Sequence, residues 1–467
     1  MDLSTLPILR QASDSPDKNG SSDPETMNRI VVLEPDKIKE LKKWAPGMWR
    51  FPTNPDLCCI YRVPNCLRQV HPEAYTPELV IIGPLHHCIK SQALKALGDS
   101  TCTKSMGYVN VEEHKKIYLS AFAKRFEGKN VIDGFKKTIQ EDEAIIRACY
   151  SESTAWIGSQ EFVEMILHDS VFIIELMLRF SLIGPEKIGD PLMDEPCLEY
   201  TIKRDLMLLE NQLPYFILEK LFDPIIPILR PNETLRKLVI SHFELETRKK
   251  KVKDDSKFRH FTDLFRCVRV ETLPEHGLGS DDFMDHMHNA DKLYGNGINF
   301  KVVEEEELSV EVTFKNGCLE IPCFKADDEV EVTLRNIMAL EQCHYPFNAY
   351  VCSYVMFLDF LVDTDKDVDL LVEKGIIKNW IGHQGLVAKM VNKLCLGVVD
   401  HGSYYSELVD EVNDRYKNQF YRTFGILRRV YFNNLWKGTA TVAAICILIM
   451  TLIQTVASLI DITQKKD

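Results

Sequence analysis

The 23 residues from Gly438 to Ile460 carry no charge, and Gln454 is the one strongly polar side chain among them. Crossing a bilayer core as a helix takes roughly 20 apolar residues, because lipid offers backbone N–H and C=O groups no partner and a helix satisfies them internally. The stretch is therefore read as a single transmembrane helix, 438–460, which leaves the remaining residues to form a water-facing body on one side of a membrane. Arg428, Arg429 and Lys437 precede it, whereas Lys465 and Lys466 lie beyond it beside two aspartates. That balance favours a cytosolic body, and Tyr431 and Trp436 suit the interface. Only a short tail, 461–467, follows, so the helix would leave the ribosome after synthesis ends and insert as a tail anchor. Nothing in the stretch distinguishes the plasma membrane from the endoplasmic reticulum.

The body is long enough for one large or two closely packed domains, and a composition of 45% hydrophobic and 27% charged residues is that of a globular chain. A formal charge of −13 argues against nucleic-acid binding, which rests on clustered Lys and Arg. The one basic run, Arg248 to Lys253, is followed at once by Asp254 and Asp255 and reads as a solvated helix end or loop. The acidic run Glu304 to Glu307 reads as an exposed turn. The 14 cysteines are scattered, and no basic start with an apolar run opens the chain, so reduced thiols in a cytosolic compartment are expected. Residues 1–28 are rich in Ser, Asp, Pro and Gly and read as a disordered tail.

Between 29 and 436 the pattern predicts a mainly α, multi-helix globular body with a small antiparallel β insertion. Cys58–Pro64 and Leu79–Cys88 are short β-branched stretches ended by Pro or Gly, and extended segments are expected there. Apolar residues at helical spacing from Val111 to Leu221 predict a run of helices with breaks near Gly128 and Gly158 and from Gly184 to Pro196. Within 161–180, Glu164, His168, Glu175 and Arg179 fall on one narrow strip, so the rest of that helix must be buried. A helix through Asp205–Pro214 is expected to kink, because Pro214 deprives the Glu210 carbonyl of its partner. Another helical segment is expected at Phe258–Val268. Ile298–Val303, Leu308–Phe314 and Cys318–Pro322 then read as strands, with Asn316-Gly317 as the hairpin turn of an insertion near 298–322. Helical periodicity returns from Val330 to Trp436.

Several stretches together resemble a plant family, the one known as domain of unknown function 247. They are Ile60-Tyr61-Arg62-Val63-Pro64; Ile82-Gly83-Pro84 with His86; Glu112 to Arg125 in a Glu-x-x-Lys-x-x-Tyr pattern; Glu161 to Met165 through Phe172 to Leu176; Asp205 through Glu210-Asn211-Gln212-Leu213-Pro214; Leu334-Arg335-Asn336 to Glu341-Gln342; and Tyr431-Phe432-Asn433 with Trp436. They keep the family's order over about residues 30–460. Leu85 stands where a Tyr is usual, Asp169-Ser170-Val171 replaces an Asp-Gly-Cys type, and Leu435 replaces a Pro. The resemblance implies a plant protein with a C-terminal membrane helix and no agreed active site. Some grass members are linked to pollen-side self-incompatibility recognition, which implies a recognition role.

Candidate chemistry is sparse. His86-His87 follows a strand end, where a histidine could act as base or ligand. Glu175 and Glu210 could pair as an acid/base couple, or could be held by neighbours such as Arg179 and His168 in a buried polar network. Asp281, Asp282, Asp285, His286 and His288 match no ligand spacing, and Cys318, Cys323, Cys343 and His344 lack a second paired knuckle. Phosphate-binding glycine loops and a nucleophile elbow are absent from the sequence. No catalytic residue, cofactor or metal is therefore assigned. The expectation is a non-enzymatic recognition module for a protein or small molecule, tethered to a lipid bilayer. The alternative is a membrane-bound hydrolase or transferase using His86, Glu175 or Glu210. Convergence of those three on one open pocket would favour the enzyme, and burial in separate pairs would favour a structural role.

Overall fold

In the computed structural model, residues 47, 55–95, 103–126, 130–182, 189–245, 257–271, 273, 283–284, 286–303, 308–419, 423 and 435–464 are described. The 1–28 tail, the 248–253 and 304–307 charge runs, Asp281, Asp282, Asp285, Arg428, Arg429, Tyr431, Lys465 and Lys466 lie outside them.

Helix α1 (His87–Lys95) begins inside the stretch expected to be extended; α2 (Thr103–Lys124), α3 (Val131–Ala148), α4 (Ser159–Leu182), α5 (Pro196–Met207) and α6 (Tyr215–Phe222) make up the expected run of helices, and α7 (Leu235–His242) and the expected α8 (Phe261–Val270) follow. From Phe162 to Leu178, burial of α4 is interrupted only at Glu164 and His168. A helix apolar nearly all round must be wrapped by others, and α2, α3 and α7 pack against it. Phe122, Phe135 and Phe222 close this first core edge to face, with the Phe135 and Phe222 rings 5.1 Å apart.

Residues 208–214 differ from expectation. Helix α5 stops at Met207, and a buried non-helical connector leads to α6, so Glu210 is not helical and no kink forms at Pro214. Side chains from the connector itself end the helix. Gln212 Nε2 donates to the carbonyls of Leu206 (2.6 Å) and Leu208 (2.8 Å), and Asn211 Nδ2 donates to that of Asp205 (2.9 Å). These amides satisfy carbonyls that a continuing helix would otherwise have bonded. Pro214 then precedes α6, where its missing N–H removes no helical bond.

The second core surrounds a small mixed sheet. β2 (Thr313–Lys315) and β3 (Cys318–Pro322) form the expected antiparallel hairpin, with Asn316 at φ 53° and Gly317 at φ 76° supplying the two positive dihedrals of its turn. The segment that opens the insertion, β1 (Asn299–Val303), joins the other side of β3 in parallel. A second pair, β4 (Phe324–Ala326) with β5 (Ile377–Asn379), is also parallel. Each of these two strands is three residues long, too short for alternation to mark it. Helices α9 (Ala290–Gly295), α10 (Asp328–His344), α11 (Tyr350–Leu361), α12 (Asp365–Glu373), α13 (Gln384–Leu394) and α14 (Ser406–Lys417) complete this half.

Helix α10 binds the halves together. Asp327 caps it by accepting from the Val330 N–H at 2.7 Å, and every residue from Val332 to Glu341 is buried. A third, smaller core of Val63, Leu67, Tyr75, Leu209 and Leu340 lies at this junction, and Phe265 of α8 packs against all three cores. The C-terminal helix α15 (Leu435–Gln464) contains Thr439–Ser458, 20 residues with none of the stretch buried. Among the described residues it is the one helix long and apolar enough to cross a membrane.

Candidate functional site

Glu210 lies in the connector, 1% exposed, and gathers three donors from one distant segment, 62–68. Its Oε1 accepts from the Val63 N–H at 2.6 Å and from Arg68 Nη2, and its Oε2 accepts from Arg62 Nη1 at 2.8 Å. Arg62 also grips Glu152 with two parallel bonds, Nε to Oε1 (2.8 Å) and Nη2 to Oε2 (2.7 Å), and Nη2 reaches the Leu85 carbonyl at 2.8 Å. This planar fork geometry is the strongest arginine–carboxylate arrangement. His86 stands beside the cluster, its Nε2 3.3 Å from Glu210 Oε2 but without hydrogen-bond alignment. Burial, then the positive charges of Arg62 and Arg68, push its pKa down to about 3, so the ring is neutral at pH 7. The adjacent His87 points elsewhere, to Glu161 at 2.8 Å.

The segment 78–84 leading to His86 bends at 78–79 and again at 83–84 and has no neighbouring strand; side chains take the place of a ladder. Asp205 accepts from the N–H groups of Glu78 (2.9 Å), Leu79 (2.7 Å) and Val80 (2.8 Å). Asn211 accepts from Ile82 N–H at 2.7 Å and donates to the Val80 carbonyl at 2.8 Å. Asp169 accepts from Gly83 N–H at 2.8 Å and from Lys115 Nζ at 2.7 Å, and that fully buried ammonium also donates to the Ile81 carbonyl (2.5 Å) and to Glu112 (2.6 Å). Burial alone would lower the Lys115 pKa; Asp169 and Glu112 outweigh it and raise it. Burial raises the Asp205 pKa to about 6 against the pull of its three N–H donors. Gly83 is required here: its φ is 71°, and a Cβ would meet the Gln212 carbonyl oxygen at 2.6 Å.

Glu175 belongs to a different cluster. Arg125 donates to both its oxygens (3.0 and 2.8 Å) and Arg179 Nε donates at 2.9 Å. Arg179 continues to Asp190, which also accepts from the Tyr118 hydroxyl. Glu175 and Glu210 share no partner among the described residues, so the structure brings His86 to Glu210 and leaves Glu175 apart. The partner of Glu175 named from sequence, Arg179, is correct; Arg62, Arg68 and Glu152 at Glu210 were not named. Arg62 sits in a quoted motif, but nothing local marks a partner 148 positions away.

The same holds in α10. Asn336 accepts from Leu209 N–H at 2.9 Å and donates to the Ala74 and Val332 carbonyls, both at 2.8 Å. Glu341 accepts from Arg266 Nε (2.9 Å) and from the first N–H groups of α11, those of Val351 (3.1 Å) and Cys352 (2.8 Å). These polar side chains hold backbone. A general base needs a lone pair open to substrate, and the oxygens of Glu210 and Glu175 are occupied by protein donors.

No grouping of three or more His, Cys, Asp or Glu that could hold a metal occurs among the described residues. His286 and His288 meet edge to face with ring centres 5.4 Å apart, and His288 lies against Tyr416. His344 Nδ1 meets the Tyr61 hydroxyl at 3.0 Å, while Cys323 is buried beside the sheet. Burial raises the Cys343 pKa to about 12. The cysteines among the described residues are free thiols.

Residues 60–450 match the family DUF247, described as plant protein of unknown function. The chain is 25% identical to the UPF0481 protein At3g47200 of Arabidopsis thaliana, covering 88% of each chain. It is 21% identical to the UPF0481 protein At3g02645 of the same plant, over 85% of this chain and 89% of that one. No solved structure matches.

Proposed function

The chain belongs to the DUF247 family of plant proteins of unknown function, and from that premise we propose that it is a single-pass membrane protein whose body serves recognition of a protein or small-molecule partner. One observation carries the reading: Thr439–Ser458 is uncharged and predominantly apolar over its 20 residues yet buries none of them against a body that buries its other apolar helices. Water would penalise that surface, and a bilayer removes the penalty. The body is proposed to face the cytosol, supported by Arg428, Arg429 and Lys437 before the helix and by the free thiols. A hydrolase or transferase working through His86, Glu175 and Glu210 has less support, because their polar atoms are buried and Glu175 belongs to a separate cluster.

The test compares the full chain with a variant carrying Leu448→Arg and Leu452→Arg. Each charge costs about 2.5–3.5 kcal/mol at the centre of a membrane helix, so the variant is expected to leave the membrane fraction of plant cells and to lose its proximity-labelled neighbours. Unchanged fractionation and unchanged neighbours would sink the tethered reading.

A further inference from the structure

Arg269, on α8, is 8% exposed, yet among the described residues its guanidinium makes one hydrogen bond, from Nη1 to the Phe265 carbonyl of its own helix at 2.9 Å, and no ion pair. This fold treats its other buried arginines differently. Arg266, one turn earlier, holds Glu341 and lies over the Tyr345 ring at 4.0 Å, and Arg335 holds Glu331 at 2.9 Å. An isolated buried cation is expensive unless something pairs with it. Burial lowers the Arg269 pKa to about 10, against Glu329 and Tyr354, so the group remains charged at pH 7.

What Arg269 faces is a cavity of about 330 Å³ on the seam between the two main cores. Its apolar walls come from Phe243 and Leu245 on one side and Val310, Phe324 and Leu334 on the other. Small-molecule sites are commonly apolar hollows of about 300–1,000 Å³ at such seams, with a few polar groups fixing orientation. The other charges at the cavity are Glu244, Lys325, Asp327 and Glu329, and all but Glu329 are held in ion pairs. Lys325 pairs with Asp327 at 2.9 Å, and Glu244 pairs with Lys203 at 3.0 Å. Burial and Asp327 raise the pKa of Glu329.

We propose that this cavity binds a small organic monocarboxylate with an apolar body, its carboxylate held by Arg269. With Lys325 already paired to Asp327, a single guanidinium is left to receive an anion at the cavity, and it suits one carboxylate better than phosphate, which calls for several donors. The inference names a ligand class for the recognition reading, on which it rests, but the site lies wholly in the body and needs no membrane to be measured.

The test is calorimetric titration of the full chain in detergent with phenylacetate, its neutral counterpart 2-phenylethanol, and inorganic phosphate, repeated on Arg269→Met. Phenylacetate is expected to bind with a Kd at or below about 1 mM. The alcohol is expected to bind at least about tenfold more weakly, and folded Arg269→Met to lose about tenfold or more for the acid alone. Where thermal melting shows that Arg269→Met does not fold, the acid–alcohol comparison on the natural chain decides. Equal binding of acid and alcohol, retained binding of the acid by folded Arg269→Met, binding of phosphate alone, or no binding of phenylacetate would each overturn the proposal. Any of these would leave membrane fractionation and neighbours unaltered, whereas loss of the tethered reading would leave phenylacetate binding intact.

Discussion

Removing the Glu210 carboxylate would strand Arg62 and Arg68 without their shared acceptor and leave the buried Val63 N–H unpaired. Breaking a buried pair from one side costs roughly 3–5 kcal/mol, because the partners' desolvation is no longer offset. Glu210→Ala is therefore expected to lose about that much in equilibrium urea denaturation, and a loss below about 1 kcal/mol would show that the cluster does not hold the fold. The buried histidines set a pH dependence. His86 and His242 both have pKa values pushed down to about 3, by burial first and then by Arg62 and Arg68 for the former and Lys203 for the latter. In the unfolded chain a histidine titrates near 6.5. Above that pH neither state takes up a proton; as pH falls through it the unfolded state does and the folded state does not, so stability falls. Each histidine withdraws about 2 kcal/mol between pH 7 and pH 5. Asp205, raised to about 6, works in the opposite sense over the same range. The clean readout is thus a difference: His242→Phe is expected to flatten the pH dependence of urea stability by about 2 kcal/mol relative to the natural chain. The sequence marked His86 as a histidine after a strand end and Glu210 as a carboxylate in an apolar stretch, and the structure buries both. It did not place them together, since adjacency in a loop and a connector leaves no periodic trace.

At the scale of elements, β-branching and the Gly83-Pro84 stop led to an extended segment at 79–88, but the chain bends at Gly83-Pro84, turns at Leu85-His86 and enters α1 at His87, and it has no strand partner. A β ladder takes its bonds from another backbone, whereas here Asp205, Asn211 and Asp169 supply them from helices and the connector. Asp205→Ala is expected to speed amide hydrogen exchange at Leu79 and Val80 by about tenfold or more while α4 keeps its protection. Unchanged exchange at those amides would mean the carboxylate does not hold the segment. Residues 208–214 went the other way. Their apolar spacing suggested a continuing helix, yet Asn211 and Gln212 bond the carbonyls that the helix would have used. Local side-chain competition of that kind is invisible to a periodicity argument. The Asn316-Gly317 turn was legible because positive φ at both positions is a property of those two residues themselves.

At the scale of the whole molecule, α10 and Phe265 join a helical core to a mixed one, and the seam between them carries the cavity that Arg269 faces. By itself the sequence determined the helical content, the hairpin and the apolar stretch near its C-terminus, because each follows from local spacing, turn chemistry or length. It also carried the family, through motifs whose polar residues prove to hold backbone. Tertiary structure alone decided which arginine meets a carboxylate far along the chain, that β1 and the β4–β5 pair run parallel, and that Arg269 meets none. Those outcomes depend on residues far apart in the chain, as with Arg62 and Glu210 at a separation of 148. Hydrophobic pattern says which face of an element is buried, but not which neighbour buries it.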